Sequence, residues 1–218
     1  MPKTDRVEIR LAGSGGQGIG LAATVLAEAA VAGGREVAAT QSYGPEARGG
    51  ASAAELIVAA GQIDFPEVTA PVLTLCLSQE AFAAYAAATA HGGLVVYDAR
   101  LVEGRHIDGL QVLGVPFVDT AERRLGTPIA ANMIALGAVQ ALTRVVTKKA
   151  LAAAVRRRVP ARLVDVDLRA LRLGYDLVRR PAGARGASSG GLPSAGTRSG
   201  SPAGREPTRR GHDAGRRP

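Results

Sequence analysis

The sequence predicts an α/β fold: a three-layer α/β/α sandwich with a parallel or mixed sheet over residues 1–180, plus a disordered C-terminal tail over 181–218. Three observations predict it. Strand-like and helix-like patterns alternate with short connections, a glycine-rich turn joins the first strand to the first helix, and the composition changes abruptly at Pro181.

Val7–Ala12 reads as a strand and Ile19–Ala32 as an Ala-rich helix closed by Gly33-Gly34. Glu36–Thr40 is a second strand, which makes the opening a β-α-β unit, and a polar Gly-rich loop follows it through Gly50. Ala54–Ala59 and Val72–Leu77 are strands with Pro66 and Pro71 between them, which exclude a regular helix there and allow a mixed sheet. Ser78 caps a helix over Gln79–Ala90, favoured by Glu80 in its first turn and stopped by His91-Gly92-Gly93. Leu94–Asp98 and Leu110–Val115 are further strands. The last third is helical: Asp119–Leu125, then Ile129–Leu142 behind Thr127-Pro128, then a helix begun by Thr147 and ending in Arg156-Arg157-Arg158, and a final one over about Leu168–Val178.

Hydrophobic residues make up 46% of the chain, yet Trp is absent and only seven residues are Tyr or Phe. Ala, Leu and Val therefore fill the core, which implies close backbone packing. Cys76 is the one cysteine and sits in an apolar run, so it reads as a buried thiol; no disulfide framework or cysteine-ligated cluster can be built from it. His91, His106 and His212 have no metal-ligand spacing, and no metal site is expected. No apolar stretch reaches a membrane span, so a cytoplasmic location is expected, with no membrane partner. The net charge of +8 is concentrated at the end: residues 181–218 hold seven Arg against Glu206 and Asp213. That segment has a single large aliphatic residue, Leu192, and cannot offset its ordering entropy; it also lacks an aromatic residue to stack on bases, so a nucleic-acid partner is not expected.

Two loops carry the chemistry. In Gly13-Ser14-Gly15-Gly16-Gln17-Gly18, glycines 13, 15 and 18 fill a G-x-G-x-x-G pattern between a strand and a helix. Glycine permits the tight turn and lets a ligand approach the backbone, and the helix start offers N–H groups to a phosphate or carboxylate. Dinucleotide binding would also need an acid near the end of the second strand, but that strand runs into Ala39-Thr40-Gln41 and its one acid, Glu36, lies at the wrong end. The second loop, Gln41 to Ser52, should lie beside the first. It brings Ser42, Tyr43, Gly44, Pro45, Glu46, Arg48 and Gly49, a hydroxyl, a phenol, a carboxylate and a guanidinium on a Gly-rich backbone. Its plain reading is a surface loop with a Glu46–Arg48 pair of little energetic value.

These loops, with Ile63-Asp64-Phe65-Pro66-Glu67-Val68, Leu77-Ser78-Gln79-Glu80-Ala81 and Asn132-Met133-Ile134-Ala135-Leu136-Gly137, form an ordered string over about residues 5–180. The string resembles the gamma subunit of 2-oxoacid:ferredoxin oxidoreductases, most of all the 2-oxoglutarate type. The resemblance implies a subunit, inactive alone, that assembles with alpha and beta subunits, a ferredoxin-like delta subunit being a further candidate. The complex would use thiamine diphosphate, Mg2+ and [4Fe–4S] clusters on those partners to convert a 2-oxoacid and coenzyme A to acyl-CoA, carbon dioxide and reduced ferredoxin. It also makes residues 13–18, the 41–50 loop and Asn132 candidates for facing coenzyme A or the active site, with no catalytic residue assigned to this chain. The family usually begins its C-terminal helix with an Asn and a Phe, where Asp167 and Leu171 stand here; Asp caps a helix as well as Asn does. The alternative from the residues themselves is a stand-alone nucleotide- or cofactor-binding α/β module.

Overall fold

The computed structural model describes residues 6–42 and 50–179. Six strands, β1 (Arg6–Ser14), β2 (Glu36–Ser42), β3 (Ala51–Ala59), β4 (Leu73–Cys76), β5 (Leu94–Asp98) and β6 (Gln111–Val115), form one sheet in the order β2-β3-β1-β4-β5-β6. β3 is antiparallel to both β1 and β2, while β1, β4, β5 and β6 run parallel, so the sheet is mixed. The opening is the expected β-α-β unit, in which α1 (Ile19–Ala32) links the parallel strands β1 and β2, but β3 is inserted between them.

The two helical layers are unequal. One face of the sheet is covered by α1, α3 (Phe117–Leu125), α4 (Ala131–Thr143), α5 (Lys148–Arg158) and α6 (Ala161–Val178), over a core that includes Ile9, Leu11, Leu56, Leu75 and Ile134. Among the described residues the other carries only α2 (Gln79–Tyr85) and the 3-10 turn Ala86–Ala88, whose Phe82 and Ala86 pack on Ala12, Cys76 and Val95. The expected helix to Ala90 is thus shorter, its second half tightened into a 3-10 turn. Likewise Pro128 opens a 3-10 turn, Pro128–Ala130, before α4 begins, and Thr127, expected as its N-cap, makes no side-chain capping bond.

Local chemistry sets the helix ends. The Ser78 hydroxyl accepts from the Ala81 N–H at 3.2 Å and the Thr147 hydroxyl from that of Ala150 at 3.1 Å. The last helix departs most from expectation, starting at Ala161 after Pro160 instead of near Leu168. Asp167 is therefore no cap. It lies inside α6, buried, and burial raises its pKa above the ordinary Asp value.

The Ala-rich composition has its expected counterpart where α4 crosses α6. A Cβ on Gly174 would overlap the Ile134 carbonyl oxygen, and one on Gly137 would overlap the backbone of Leu171. Residues 60–72 lead from β3 to β4 as irregular chain clipped to β1: the Thr69 and Ala70 N–H groups donate to the Glu8 carboxylate at 2.9 and 3.0 Å, and Arg6 donates to the carbonyls of Phe65 and Glu67. Burial pushes the Glu8 carboxyl up, but those N–H groups and Arg6 outweigh it and leave its pKa below the ordinary value. Among the described residues no helix is long and apolar enough to cross a membrane. The tail and loop residues 43–49 lie outside the described residues.

Candidate functional site: the glycine turn and its supports

Gln17 is the first of three side chains that hold the turn after β1. The Gln17 Oε1 accepts from the Ser14 N–H at 2.7 Å, and its Nε2 donates to the Leu77 carbonyl at 2.9 Å, just past the end of β4. Gln17 thus ties the turn to the next parallel strand while lying against Gly13, where any Cβ would overlap its Oε1. Ser52 completes the floor by donating its hydroxyl to the Gly13 carbonyl at 3.0 Å.

Gly18 precedes α1 with φ +73°, a left-handed conformation that glycine adopts without steric penalty. A Cβ there would overlap the Asn132 amide, whose Nδ2 lies 3.4 Å from the Gly18 carbonyl and whose Oδ1 accepts from the Met133 N–H at 2.7 Å. Asn132 is itself buried, so α4 reaches across 114 positions of sequence to fix the start of α1. Between these supports Gly15 and Gly16 have nothing within 4 Å of the place a Cβ would take, and α1 begins without a side-chain cap. The turn is rigid at its base and bare at its apex, the form in which a helix start receives an anionic or carbonyl oxygen.

Of the residues singled out from sequence, Gly13, Ser14, Gly15, Gly16, Gln17, Gly18 and Asn132 are brought together. Gln17 and Asn132 spend their amide groups inside the chain, shaping the turn. The second loop is anchored beside it: Ser42 pairs with Ala53, Ala51 pairs with Ser14, and a Cβ on Gly20 in the first turn of α1 would meet Gln41 Oε1 at 3.0 Å. Tyr43, Gly44, Pro45, Glu46, Arg48 and Gly49 lie outside the described residues.

Sequence reasoning missed a polar cluster on the α2 side of the sheet. Arg10 pairs with Glu55 across β1 and β3, its Nε at 2.7 Å and Nη2 at 2.5 Å from Glu55 Oε1, and its guanidinium lies 5.4 Å from the Tyr85 ring centroid. The signal was a charged residue at an inward strand position, Arg10 between Ile9 and Leu11. The nearby Cys76 thiol is buried and pushed up to about 12, despite Arg10 acting in the opposite sense. A thiol so protonated is neither nucleophile nor metal ligand at neutral pH. Iron–sulfur ligation takes four thiolates and the chain has one Cys; among the described residues no three His, Cys, Asp or Glu side chains converge on a metal position. A single thiol cannot hold such a cluster.

The pattern of the family described as Pyruvate ferredoxin/flavodoxin oxidoreductase matches residues 8–177. The chain belongs to this family. Among similar proteins, the 2-oxoglutarate synthase subunit KorC of Methanocaldococcus jannaschii is 40% identical over 177 residues, 80% of this chain and 95% of the relative. KorC of Archaeoglobus fulgidus is 41% identical over 180 residues, 83% of this chain and 91% of the relative. The ketoisovalerate oxidoreductase subunit VorA of Methanothermobacter marburgensis is 30% identical over 82% of this chain, but that match takes up only 38% of the relative. Among solved structures, the gamma subunit of a keto/oxoacid ferredoxin oxidoreductase from Geobacter sulfurreducens PCA superposes with a TM-score of 0.72 at 40% identity, covering 79% of this chain and 95% of that one. The 2-oxoglutarate:ferredoxin oxidoreductase of Magnetococcus marinus shares the fold, with a TM-score of 0.72 at 22% identity over 80% of this chain and 31% of that one. The chain is thus of the gamma-subunit type of this oxidoreductase family.

Proposed function

We propose that this chain is the gamma subunit of a thiamine diphosphate-dependent 2-oxoglutarate:ferredoxin oxidoreductase, and that it presents its glycine turn and 41–50 loop to coenzyme A at the active site of the complex. The observation that carries this reading is the 40% identity to a KorC subunit over 95% of that subunit's length. The same unit also matches about a third of longer chains. A domain that occurs both free and fused works within a larger assembly, where fusion merely replaces a non-covalent interface.

The expected partners are alpha and beta subunits, with a ferredoxin-like delta subunit as a further candidate and ferredoxin as electron acceptor. Thiamine diphosphate with Mg2+ would supply the decarboxylation chemistry, and iron–sulfur clusters the electron path, on those partners. This chain's share is positioning. Gln17, Ser52 and Asn132 hold the turn open, Gly15 and Gly16 leave its apex clear, and Arg48 would supply the loop's one cation for a phosphate or carboxylate. Ile129, 79% exposed and three residues before Asn132, offers apolar surface for a partner to cover.

The test is reconstitution from co-expressed subunits with and without this chain, reading 2-oxoglutarate- and coenzyme A-dependent reduction of ferredoxin. The chain alone is expected to be inactive and free of iron. The assembly lacking it should lose most of its coenzyme A-dependent turnover. Full turnover without the chain, or failure of the chain to join the assembly while binding coenzyme A by itself, would favour the stand-alone module.

A further inference from the structure

A groove of about 510 Å3 lies between α5 and α6, away from the glycine turn. Its floor includes the buried Leu171 and Tyr175, and its rim carries Lys148, Lys149, Arg156 and Arg172 against one carboxylate, Asp176. The Lys148 ammonium lies 4.1 Å from the Tyr175 ring centroid, so this cation is already turned over the floor. Lys149 and Arg172 are exposed and make no ion pair with the described residues. By contrast the neighbouring Arg157 and Arg158 of α5 are both engaged by Glu28 of α1. The α5 cations that line the groove, Lys148, Lys149 and Arg156, have no carboxylate partner among the described residues, Arg156 donating only to the Ala152 carbonyl of its own helix.

We infer that this groove docks an acidic, amphipathic helical segment of another polypeptide. Lys149 and Arg156 lie seven residues apart on one helix, roughly 10 Å along its axis at 1.5 Å per residue. A compact anion such as phosphate needs donors that converge on one point. Cations strung along two helical turns instead match carboxylates repeated along a partner segment, whose apolar side can settle on Leu171 and Tyr175. The chain's own residues 181–218, which follow α6 in sequence, are excluded as occupant by sign: they carry seven Arg against two acids. Asp176 gives the site polarity, since it disfavours a carboxylate at its own position and so restricts the register of an acidic segment. The inference rests on charge and shape at α5 and α6 and stands whether or not the oxidoreductase reading holds.

The experiment uses the full chain and a fluorescein-labelled synthetic peptide of about 14 residues, four helical turns, with leucines at helical spacing and glutamates elsewhere. Saturable binding by fluorescence anisotropy is expected, weakening as salt is raised. Hydrogen exchange should show protection over residues 148–158 and 168–176 on binding. The double variant Lys149→Glu/Arg172→Glu should lose about tenfold or more in affinity; should circular dichroism show it misfolded, Lys149→Gln/Arg172→Gln takes its place. Absence of binding overturns the inference. So does equal binding by the double variant, which would mean that the basic C-terminal residues take the peptide. Displacement by inorganic pyrophosphate at the peptide's own concentration would make the groove a small-anion site and equally overturn it.

Discussion

Glycine is used in opposite ways in two regions of this molecule. At the crossing of α4 and α6, Gly137 and Gly174 have backbone atoms of the opposing helix where a Cβ would stand. At the apex of the 13–18 turn, Gly15 and Gly16 have nothing there at all. In the first region the missing side chain lets two helices touch, and the result is a sealed core. In the second it leaves backbone bare toward solvent, which costs folding entropy with no packing in return. Under the proposed function, binding at the apex is what offsets that cost. α4 links the two regions, because Asn132 at its start shapes the turn while Gly137, five residues on, seats α6.

The comparison breaks if the crossing tolerates side chains. Gly174→Ala places a methyl group onto the Ile134 carbonyl and close to the Ala138 N–H, backbone atoms that cannot rotate away. Overpacking at a fixed backbone should cost about 3 kcal/mol or more. The expected readout is a fall in melting temperature of roughly 6–12 °C, at about 2–4 °C per kcal/mol for a chain of this size, or failure to fold. An unchanged melting temperature would mean that α4 and α6 are not in contact as described.

A second substitution tests the base of the turn. Gly18→Ala imposes a left-handed conformation on a residue with a Cβ, worth about 1–2 kcal/mol, and drives that Cβ into the Asn132 amide. Asn132→Ala removes the obstruction, together with the hydrogen bond to Gly18. Because each substitution spoils the same contact, the double variant should be destabilised by less than the sum of the two single ones. Strict additivity in denaturant melts would separate Asn132 from the turn.

This pairing marks the limit of what the sequence discloses. The β1-turn-α1 unit was legible because strand, glycines and helix are contiguous, and so were Ser78 and Thr147 as caps, since a cap acts over three residues. The site's supports were not. That Ser52 and Leu77 hold the turn follows from β3 and β4 flanking β1, an order set by packing and invisible in local pattern. The insertion of β3 between β1 and β2 escaped for the same reason, while the lack of a helix between β3 and β4 did announce a mixed sheet. Asp167 misled because its capping propensity is local, whereas Pro160 and the amphipathic run behind it start the helix two turns earlier.

Asp167 supplies the third prediction. Its carboxyl is raised by burial inside α6, so the folded state holds its proton to higher pH than the unfolded chain does. With more protons bound by the folded state, stability falls as pH rises through the window above the ordinary Asp value near 4, and the loss is complete above the folded pKa. Asp167→Asn, the residue that the resembled family usually carries there, should abolish this loss. A gain on the order of 1 kcal/mol is expected at neutral pH and none at strongly acid pH. Identical pH profiles of melting temperature for the two proteins would show that the carboxyl is not buried.

The smallest effect on stability is expected at the apex, and it sharpens the comparison most. Gly15 does not have a positive φ, and open space lies where its Cβ would be, so Gly15→Ala strains no backbone and meets no neighbour. Folding should be unaffected or slightly favoured, within about 0.5 kcal/mol, because alanine reduces the entropy of the unfolded chain. If the apex serves only to connect a strand to a helix, nothing else changes. If it receives a ligand oxygen, the added methyl group stands between ligand and backbone, and the Michaelis constant for coenzyme A in the assembled oxidoreductase should rise several-fold while that for 2-oxoglutarate does not. A variant as stable as the parent, with unaltered constants for both substrates in complex purified by size exclusion, would take the glycine apex out of the binding site and leave it a strand-to-helix connection.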